Sequence, residues 1–125
     1  MSELYLFHVK RFTSPTQRLG EVGEDTAVAF LQKEGFVIIE RNVSGRYGEI
    51  DIVAREGNIY YFFEVKAGRA GSWFNPAENL TRAKVGKLLK TVAHYCLMRG
   101  IRTYRVEGIL VKLGTGETVE RIELF

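Results

Sequence analysis

The chain has 125 residues, of which 46% are hydrophobic and 26% are charged; this suits one compact domain and excludes collagen-like or disordered character. Its 18 basic and 15 acidic residues give a net charge of +3, which permits a polyanionic partner without requiring one. One cysteine and two histidines allow no internal disulfide and no convincing zinc site, so any bound metal should be a hard cation held by carboxylates.

The N-terminal residues 1–13 are interpreted as an arm or a short strand, and residues 14–125 as a single domain. Residues 4–7 are apolar, but they are too few for a secretory signal and no cleavage pattern follows them. The longest apolar runs are too short to span a membrane. We therefore expect a cytoplasmic protein without a membrane partner.

The first predicted element is a helix over residues 14–34, in which Pro15 suits the first helical position. Its apolar stripe consists of Ala27, Val28, Phe30 and Leu31. Gly20 and Gly23 lie on or near the same face, where they would let another backbone approach closely. Glu24 also falls within this stripe, and a carboxylate among apolar positions needs a reason.

Three strands are predicted after this helix. Residues 36–39 form a short apolar strand, residues 47–54 alternate between polar and apolar, and residues 59–65 are rich in aromatic and β-branched side chains. The turn at residues 56–58 is short, so the second and third strands should form an antiparallel hairpin.

A second helix is predicted over residues 77–98, with Pro76 at its start. Its apolar face consists of Val85, Leu88, Leu89, Val92, Ala93 and Cys96. Two more strands follow, at residues 104–113 and 118–124. The sequence therefore predicts an α/β fold in the order α-β-β-β-α-β-β, with a mixed central sheet flanked by helices.

The hairpin is where charged side chains should converge. Positions whose numbers add up to about 113–115 should face each other, which places Asp51 across from Glu64 or the two residues before it. Because residues two apart in a strand point to the same side, Glu64 and Lys66 should project together. The same alternation puts Asp51 on the face opposite to Ile50 and Ile52.

Two carboxylates and an ammonium at the end of an apolar hairpin favour a metal site, because buried charges are costly unless they are paired or bound to an ion. Asp51 and Glu64 could coordinate Mg²⁺ or Mn²⁺, and Lys66 could orient a water or stabilise charge on a phosphate. Glu24, on a helix expected to pack over this face, could be a further metal ligand or a water-positioning base. A plain salt bridge is the alternative explanation.

Several segments occur in an order that resembles a known family. They are GEDTA at residues 23–27, GFVIIERN at 35–42, GEIDIV at 48–53, FFEVK at 62–66 and FNPAE at 74–78. This order resembles the YraN-like family of uncharacterised bacterial proteins. That family looks like a branch of the PD-(D/E)xK nuclease superfamily and is similar to archaeal Holliday-junction resolvases.

The resemblance implies a restriction-endonuclease-like fold and a Mg²⁺-dependent (or Mn²⁺-dependent) endonuclease that hydrolyses DNA, with branched and flap DNA as candidate substrates. It assigns the helix glutamate to Glu24, the metal-binding aspartate to Asp51, and the Glu-x-Lys element to Glu64 and Lys66. A homodimer would suit a two-fold substrate. The alternative is a non-catalytic nucleic-acid-binding module or scaffold on the same fold.

Basic and aromatic residues near the site are candidates for nucleic-acid binding. Arg41, Arg46, Arg55 and Arg69 are expected to flank it, and the second helix carries Arg82, Lys84, Lys87 and Lys90. A solvated helix surface would explain the lysines equally well. Trp73 and Phe74 could stack on unpaired bases, close the core or form a dimer contact.

Overall fold

In the computed structural model, residues 14–71, 78 and 80–125 are described, and they form a five-stranded sheet with a helix against each face. The predicted N-terminal arm and the residues Trp73, Phe74 and Pro76 lie outside the described residues. The helices and strands are α1 (Pro15–Lys33), β1 (Val37–Ser44), β2 (Glu49–Glu56), β3 (Ile59–Arg69), α2 (Arg82–Arg99), β4 (Tyr104–Leu113) and β5 (Thr118–Glu123).

The strands lie in the sheet in chain order, from β1 to β5. All neighbours are antiparallel except β3 and β4, which are parallel. A parallel pair needs a crossover connection, and α2 lies in that connection. The mixed sheet and the order α-β-β-β-α-β-β confirm the predicted fold class. Neither described helix is long and apolar enough to cross a membrane.

Helix α1 covers one face of the sheet. Ala27 and Leu31 are fully buried against Ile52 and Phe63, in a core cluster that we call the α1-side cluster. The chain leaves the helix through Gly35, whose φ is +96°, a left-handed conformation that glycine adopts without strain. The predicted extent of this helix is therefore confirmed to within one residue at each end.

Helix α2 covers the opposite face, where Leu88, Val92 and Cys96 pack with Val53 and Phe62 in the α2-side cluster. The three helix residues belong to the predicted apolar face. The prediction for Ala93 was wrong, because Ala93 is exposed. The helix instead buries the two polar-tipped residues Thr91 and Tyr95.

The predicted start of this second helix was also wrong. Helix α2 begins at Arg82, and Thr81 caps it by accepting a hydrogen bond from the backbone N–H of Lys84. A threonine hydroxyl satisfies one of the amide groups that the first helical turn leaves without a partner. Pro76 is compatible with a first helical position, but proline does not require a helix to follow, and here the cap at Thr81 marks the boundary.

The alternation predicted along β2 holds only in part. Ile52 packs in the α1-side cluster and Val53 in the α2-side cluster, as expected. Ile50, however, packs with Val53 rather than with Ile52. Asn42 lies between the β1 residues paired with Ile52 and Ile50, and its φ of +53° is left-handed. We attribute the change of face to this break in the regular strand geometry.

Candidate metal and nucleic-acid site

The β2–β3 hairpin brings Asp51 to Glu64. The regular pairs of this hairpin end at Ile52 and Phe63, and their numbers add up to 115, within the predicted register. Asp51 and Glu64 occupy the next position outward. The carboxylate of Asp51 accepts a hydrogen bond of 2.8 Å from the backbone N–H of Val65, which fixes it against the end of this ladder.

The carboxylate of Glu64 lies close enough to disfavour the charge of Asp51. Burial raises the pKa of Asp51 to about 8, and the negative charge of Glu64 is the next contribution in the same direction. The hydrogen bond from Val65 and the charge of Lys66 act against this shift but do not cancel it. A divalent cation between the carboxylates would supply the missing positive charge.

Lys66 lies beside Glu64, as the alternation along β3 predicts. Its Nζ is 3.2 Å from Oε1 of Glu64, and both side chains are about one quarter exposed, at 24% and 23%. Solvent therefore still reaches the ammonium group. The pair places one positive charge at the edge of a group of acids, where a phosphate oxygen or a water could contact it.

Glu24 approaches the site from a different direction than predicted. Helix α1 packs on the face opposite to α2, so it does not cover the face on which Glu64 and Lys84 line a common cavity. The carboxylate of Glu24 accepts hydrogen bonds from Arg41 at 3.1 Å and from Asn42 at 2.9 Å. Its charge still contributes to the raised pKa of Asp51, so the two groups are neighbours.

Burial also raises the pKa of Glu24, although its hydrogen bonds with Arg41 and Asn42 oppose that shift. Among the described residues, no group of three or more His, Cys, Asp or Glu side chains is gathered closely enough to hold a metal ion. The pair Asp51–Glu64 suits part of a Mg²⁺ site, since this ion commonly takes one or two carboxylates together with waters and phosphate oxygens.

A cavity of about 240 Å³ lies between the hairpin and α2. Asp51 and Glu64 form part of its lining from the strands, and Lys84 and Lys87 face them from the helix. The remaining lining residues are Tyr47, Gly48, Glu49, Leu88 and Thr91. Two of the predicted phosphate-binding lysines therefore share a cavity with two of the predicted metal ligands.

The predicted arginines are placed differently from one another. Arg41 is paired with Glu24 and Asp25, and Arg46 is exposed in the turn before β2. Arg82 is exposed at the start of α2. Arg69, at the end of β3, is exposed and lines a separate cavity of about 710 Å³ with Arg18, Leu19, Val22 and others.

The expectation that Arg55 flanks the site was wrong. Its guanidinium donates a hydrogen bond of 2.6 Å to the carbonyl of Gly57 in the hairpin turn. This turn lies at the end of β2 and β3 remote from Asp51. Arg55 lies four residues beyond Asp51 along β2, and four residues of an extended strand span roughly 13 Å.

Sequence reasoning missed two residues that line this cavity. Thr91 is only 3% exposed and lies against the turn that joins β1 to β2. Tyr47 belongs to that turn and is 45% exposed. A signal for both existed: Gly45 and Gly48 bracket the turn, and Thr91 interrupts an otherwise apolar helical face.

Comparisons with known proteins match a stretch of sequence that includes the four residues of the predicted site. A family model described as "Uncharacterised protein family UPF0102" matches residues 23–111, a span that contains Glu24, Asp51, Glu64 and Lys66. A UPF0102 protein from Helicobacter hepaticus is 41% identical over 106 residues, which cover 84% of this chain and 94% of the relative.

Two other relatives belong to the same family and match most of this chain. A UPF0102 protein from Desulforapulum autotrophicum is 42% identical over 108 residues, which cover 86% of this chain and 89% of the relative. One from Campylobacter jejuni is 40% identical over 94 residues, which cover 74% of this chain and 82% of the relative. The names of these relatives state the family and no activity.

Proposed function

The chain belongs to the UPF0102 family, and from the site that it carries we propose that it is a metal-dependent endonuclease that hydrolyses phosphodiester bonds in DNA. One observation carries the proposal. Asp51 and Glu64 lie side by side at the end of the hairpin, with Lys66 next to Glu64 and with two lysines of α2 across the same cavity.

The acids and the lysine have complementary tasks in this chemistry. Asp51 and Glu64 would hold Mg²⁺ or Mn²⁺, which lowers the pKa of bound water and neutralises charge on the phosphate. Lys66 is placed to orient the attacking water or to stabilise the negative charge that develops on the phosphoryl oxygens. Glu24 contributes negative potential next to Asp51 and is a candidate for an additional ligand.

A polyanionic substrate fits the surroundings of the acids. Lys84 and Lys87 are exposed and line the cavity, so they can contact backbone phosphates on either side of the bond to be cleaved. Lys90 is exposed on the same helix but does not line the cavity. These positions support DNA binding that is independent of base sequence.

The proposal is tested with duplex, single-stranded, flap and four-way DNA, each incubated with Mg²⁺ or Mn²⁺. Wild-type protein should cleave at least one of them, and Lys66→Ala and Asp51→Asn should reduce the rate by 100-fold or more, about the contribution of one preorganised charged group. Lys84→Ala should weaken cleavage moderately, and Lys90→Ala serves as its matched control.

Equal cleavage by wild type and Lys66→Ala would identify a contaminating nuclease and remove the proposal. Cleavage that persists in EDTA would contradict the proposed dependence on a metal ion. A loss in Lys90→Ala as large as that in Lys84→Ala would assign the lysine effect to overall charge rather than to this cavity.

A non-catalytic nucleic-acid-binding module is the second candidate, and the pairing of Glu24 favours it. The charge of Glu24 is already satisfied by Arg41 and Asn42, and Lys66 is engaged by Glu64. For such a module we expect salt-sensitive DNA binding that survives Asp51→Asn and Lys66→Ala, without cleavage of any DNA in the panel.

A further inference from the structure

The turn between β1 and β2 presents an aromatic ring to the site. Residues 45–48 form a tight turn in which the backbone N–H of Gly45 donates a hydrogen bond of 2.7 Å to the carbonyl of Gly48. Tyr47 projects from this turn, is 45% exposed, and lines the same cavity as Asp51 and Glu64. Because nearly half of Tyr47 is exposed and it belongs to neither core cluster, its ring is available to a ligand of this cavity.

Helix α2 holds this turn in place. A side-chain carbon on Gly45 would lie 3.3 Å from Cγ2 of Thr91, and one on Gly48 would lie 3.4 Å from its Oγ1. Thr91 is itself fixed, because its hydroxyl donates a hydrogen bond of 2.9 Å to the carbonyl of Lys87. The turn is therefore seated against α2, which limits the backbone entropy that Tyr47 would lose on receiving a ligand.

A cationic and an aromatic side chain lie against the ring of Tyr47. The imidazole of His94 meets its ring nearly edge-on, at an interplanar angle of 84° with 6.1 Å between ring centroids. The guanidinium of Arg46 is 5.8 Å from the ring centroid, near the outer limit of a cation–π contact. Arg46 is exposed, so a flat ligand that replaced it on the ring would free its charge for a phosphate.

From this arrangement we propose that Tyr47 stacks on an unpaired nucleobase next to the phosphate that a metal ion at Asp51 and Glu64 would contact, so that the substrate class is DNA with a single-stranded segment at the scissile bond. The inference rests on the proposed nuclease function. In a continuous duplex both faces of each base are covered by its neighbours. A base that stacks on a protein ring must therefore come from a flap, a bulge, a junction or a single strand, unless the protein supplies the energy to flip it out of a duplex.

The chemistry of the ring also determines what kind of selectivity to expect. Every base offers a π-face, so stacking on Tyr47 discriminates between paired and unpaired nucleotides and not between base sequences. Lys84 and Lys87 contact backbone phosphates, which paired and unpaired strands share. The preference for unpaired DNA should consequently depend on Tyr47, and the overall affinity on the lysines.

The test measures binding in a Lys66→Ala background, so that no probe is cleaved. The probes are a fluorescently labelled single strand, a fully paired duplex and a flap duplex, each with 2-aminopurine at the unpaired position or its paired equivalent. We expect Tyr47→Ala to weaken binding of the single strand and the flap by roughly fivefold or more and of the duplex less than twofold. In the flap complex, stacking on Tyr47 should quench the fluorescence of 2-aminopurine, and this quenching should disappear in Tyr47→Ala.

Tyr47→Phe keeps the ring and should bind like the parent protein, whereas Lys84→Ala should weaken all three probes to a similar degree. Equal loss for paired and unpaired probes in Tyr47→Ala, or 2-aminopurine quenching that survives it, would overturn the inference. Metal-dependent cleavage without Tyr47 dependence would leave the nuclease proposal intact and remove only this one. Tyr47-dependent binding without cleavage of any DNA would remove the nuclease proposal and, with it, the scissile bond, and would leave only the stacking of Tyr47 on an unpaired base.

Discussion

Asp51 is the residue at which the energetic cost of the site is concentrated. It lies among apolar residues of β2, and its carboxylate is close to a second acid. The hydrogen bond that the backbone N–H of Val65 donates to this carboxylate compensates only part of the cost. A carboxylate whose pKa is raised to about 8 is held in a place that suits its neutral form. Such destabilising groups are characteristic of functional sites.

The raised pKa predicts a specific dependence of folding stability on pH. In the unfolded chain Asp51 loses its proton near pH 4, whereas in the folded chain it holds the proton until about pH 8. Without divalent metal, the stabilisation from the neutral carboxyl is fully present below about pH 4 and is lost as pH rises towards 8, at up to about 1.4 kcal/mol per pH unit.

Asp51→Asn should remove this dependence and be the more stable protein at pH 8, because an amide keeps the hydrogen-bond acceptor but not the charge. The measurement is urea unfolding in EDTA across the pH range from 4 to 9. Glu56→Gln, which alters an exposed acid at the hairpin turn, is the control. Parallel pH profiles for wild type and Asp51→Asn would contradict the prediction.

Gly23 allows a close approach between α1 and β3. A side-chain carbon at Gly23 would overlap with the Cβ of Ala67, so the helix lies against the strand where Gly23 has no side chain. Among the described residues, a carbon at Gly20, one turn earlier, would meet nothing within 4 Å. We predicted from the sequence that both glycines would let another backbone approach closely. The structure confirms this prediction for Gly23, and it was wrong for Gly20.

This difference predicts opposite effects for the same substitution at the two glycines. Gly20→Ala should stabilise the protein by about 0.5–1 kcal/mol, the helix propensity gained. Gly23→Ala should destabilise it by roughly 1–3 kcal/mol despite the same gain, because the added methyl group forces α1 away from β3. Chemical denaturation measures both changes.

Gly23→Ala combined with Ala67→Gly should recover part of the loss, because it removes the atom with which the new methyl group collides. If Gly23→Ala were as stable as Gly20→Ala, the close packing of α1 on β3 would be refuted.

Local patterns predicted the elements well where one signal dominated, and less well where two competed. The hairpin register followed from the length of its turn, and the convergence of Asp51 with Glu64 followed from the register. The start of α2 did not follow from Pro76, because the cap at Thr81 determines it. The changed face at Ile50 depends on the φ of Asn42 in another strand, which no periodicity within β2 contains.

At the scale of the whole molecule, the charge lining the cavities differs from place to place. The α2 side presents Lys84 and Lys87 at the cavity with the paired acids. A broad cleft near β5 is instead lined largely by acids, namely Glu34, Glu107, Glu120 and Glu123, with Arg121 bound to Glu107 at 2.6 Å. A polyanion should therefore favour the cavity with Lys84 and Lys87 over the acidic cleft near β5, although the net charge of the chain is only +3.

Binding of a cation at Asp51 and Glu64 should stabilise the entire fold, because β2 contributes to both core clusters and cannot unfold alone. At pH 8.5 and a Mg²⁺ concentration ten times the Kd, the free energy of unfolding should rise by about 1.4 kcal/mol. For a domain of this size, this corresponds to a rise of a few degrees in Tm. Differential scanning fluorimetry measures it.

Lys66→Ala should keep this gain, since it removes no metal ligand, and Asp51→Asn should lose it. An equal rise in Tm for Asp51→Asn would indicate that the ion acts elsewhere on the protein. A rise with NaCl of the same ionic strength would indicate general screening.

The hairpin turn has a consequence for which insertions the protein can tolerate. The turn at Gly57 is far from the acids, yet its length helps to determine which residue of β3 lies across from Asp51. One extra residue there would slip the pairing and send Glu64 and Lys66 through to the other face of the sheet. The alignment of Asp51 with Glu64 thus depends on a turn at the opposite end of the strands, where no substrate is expected to make contact.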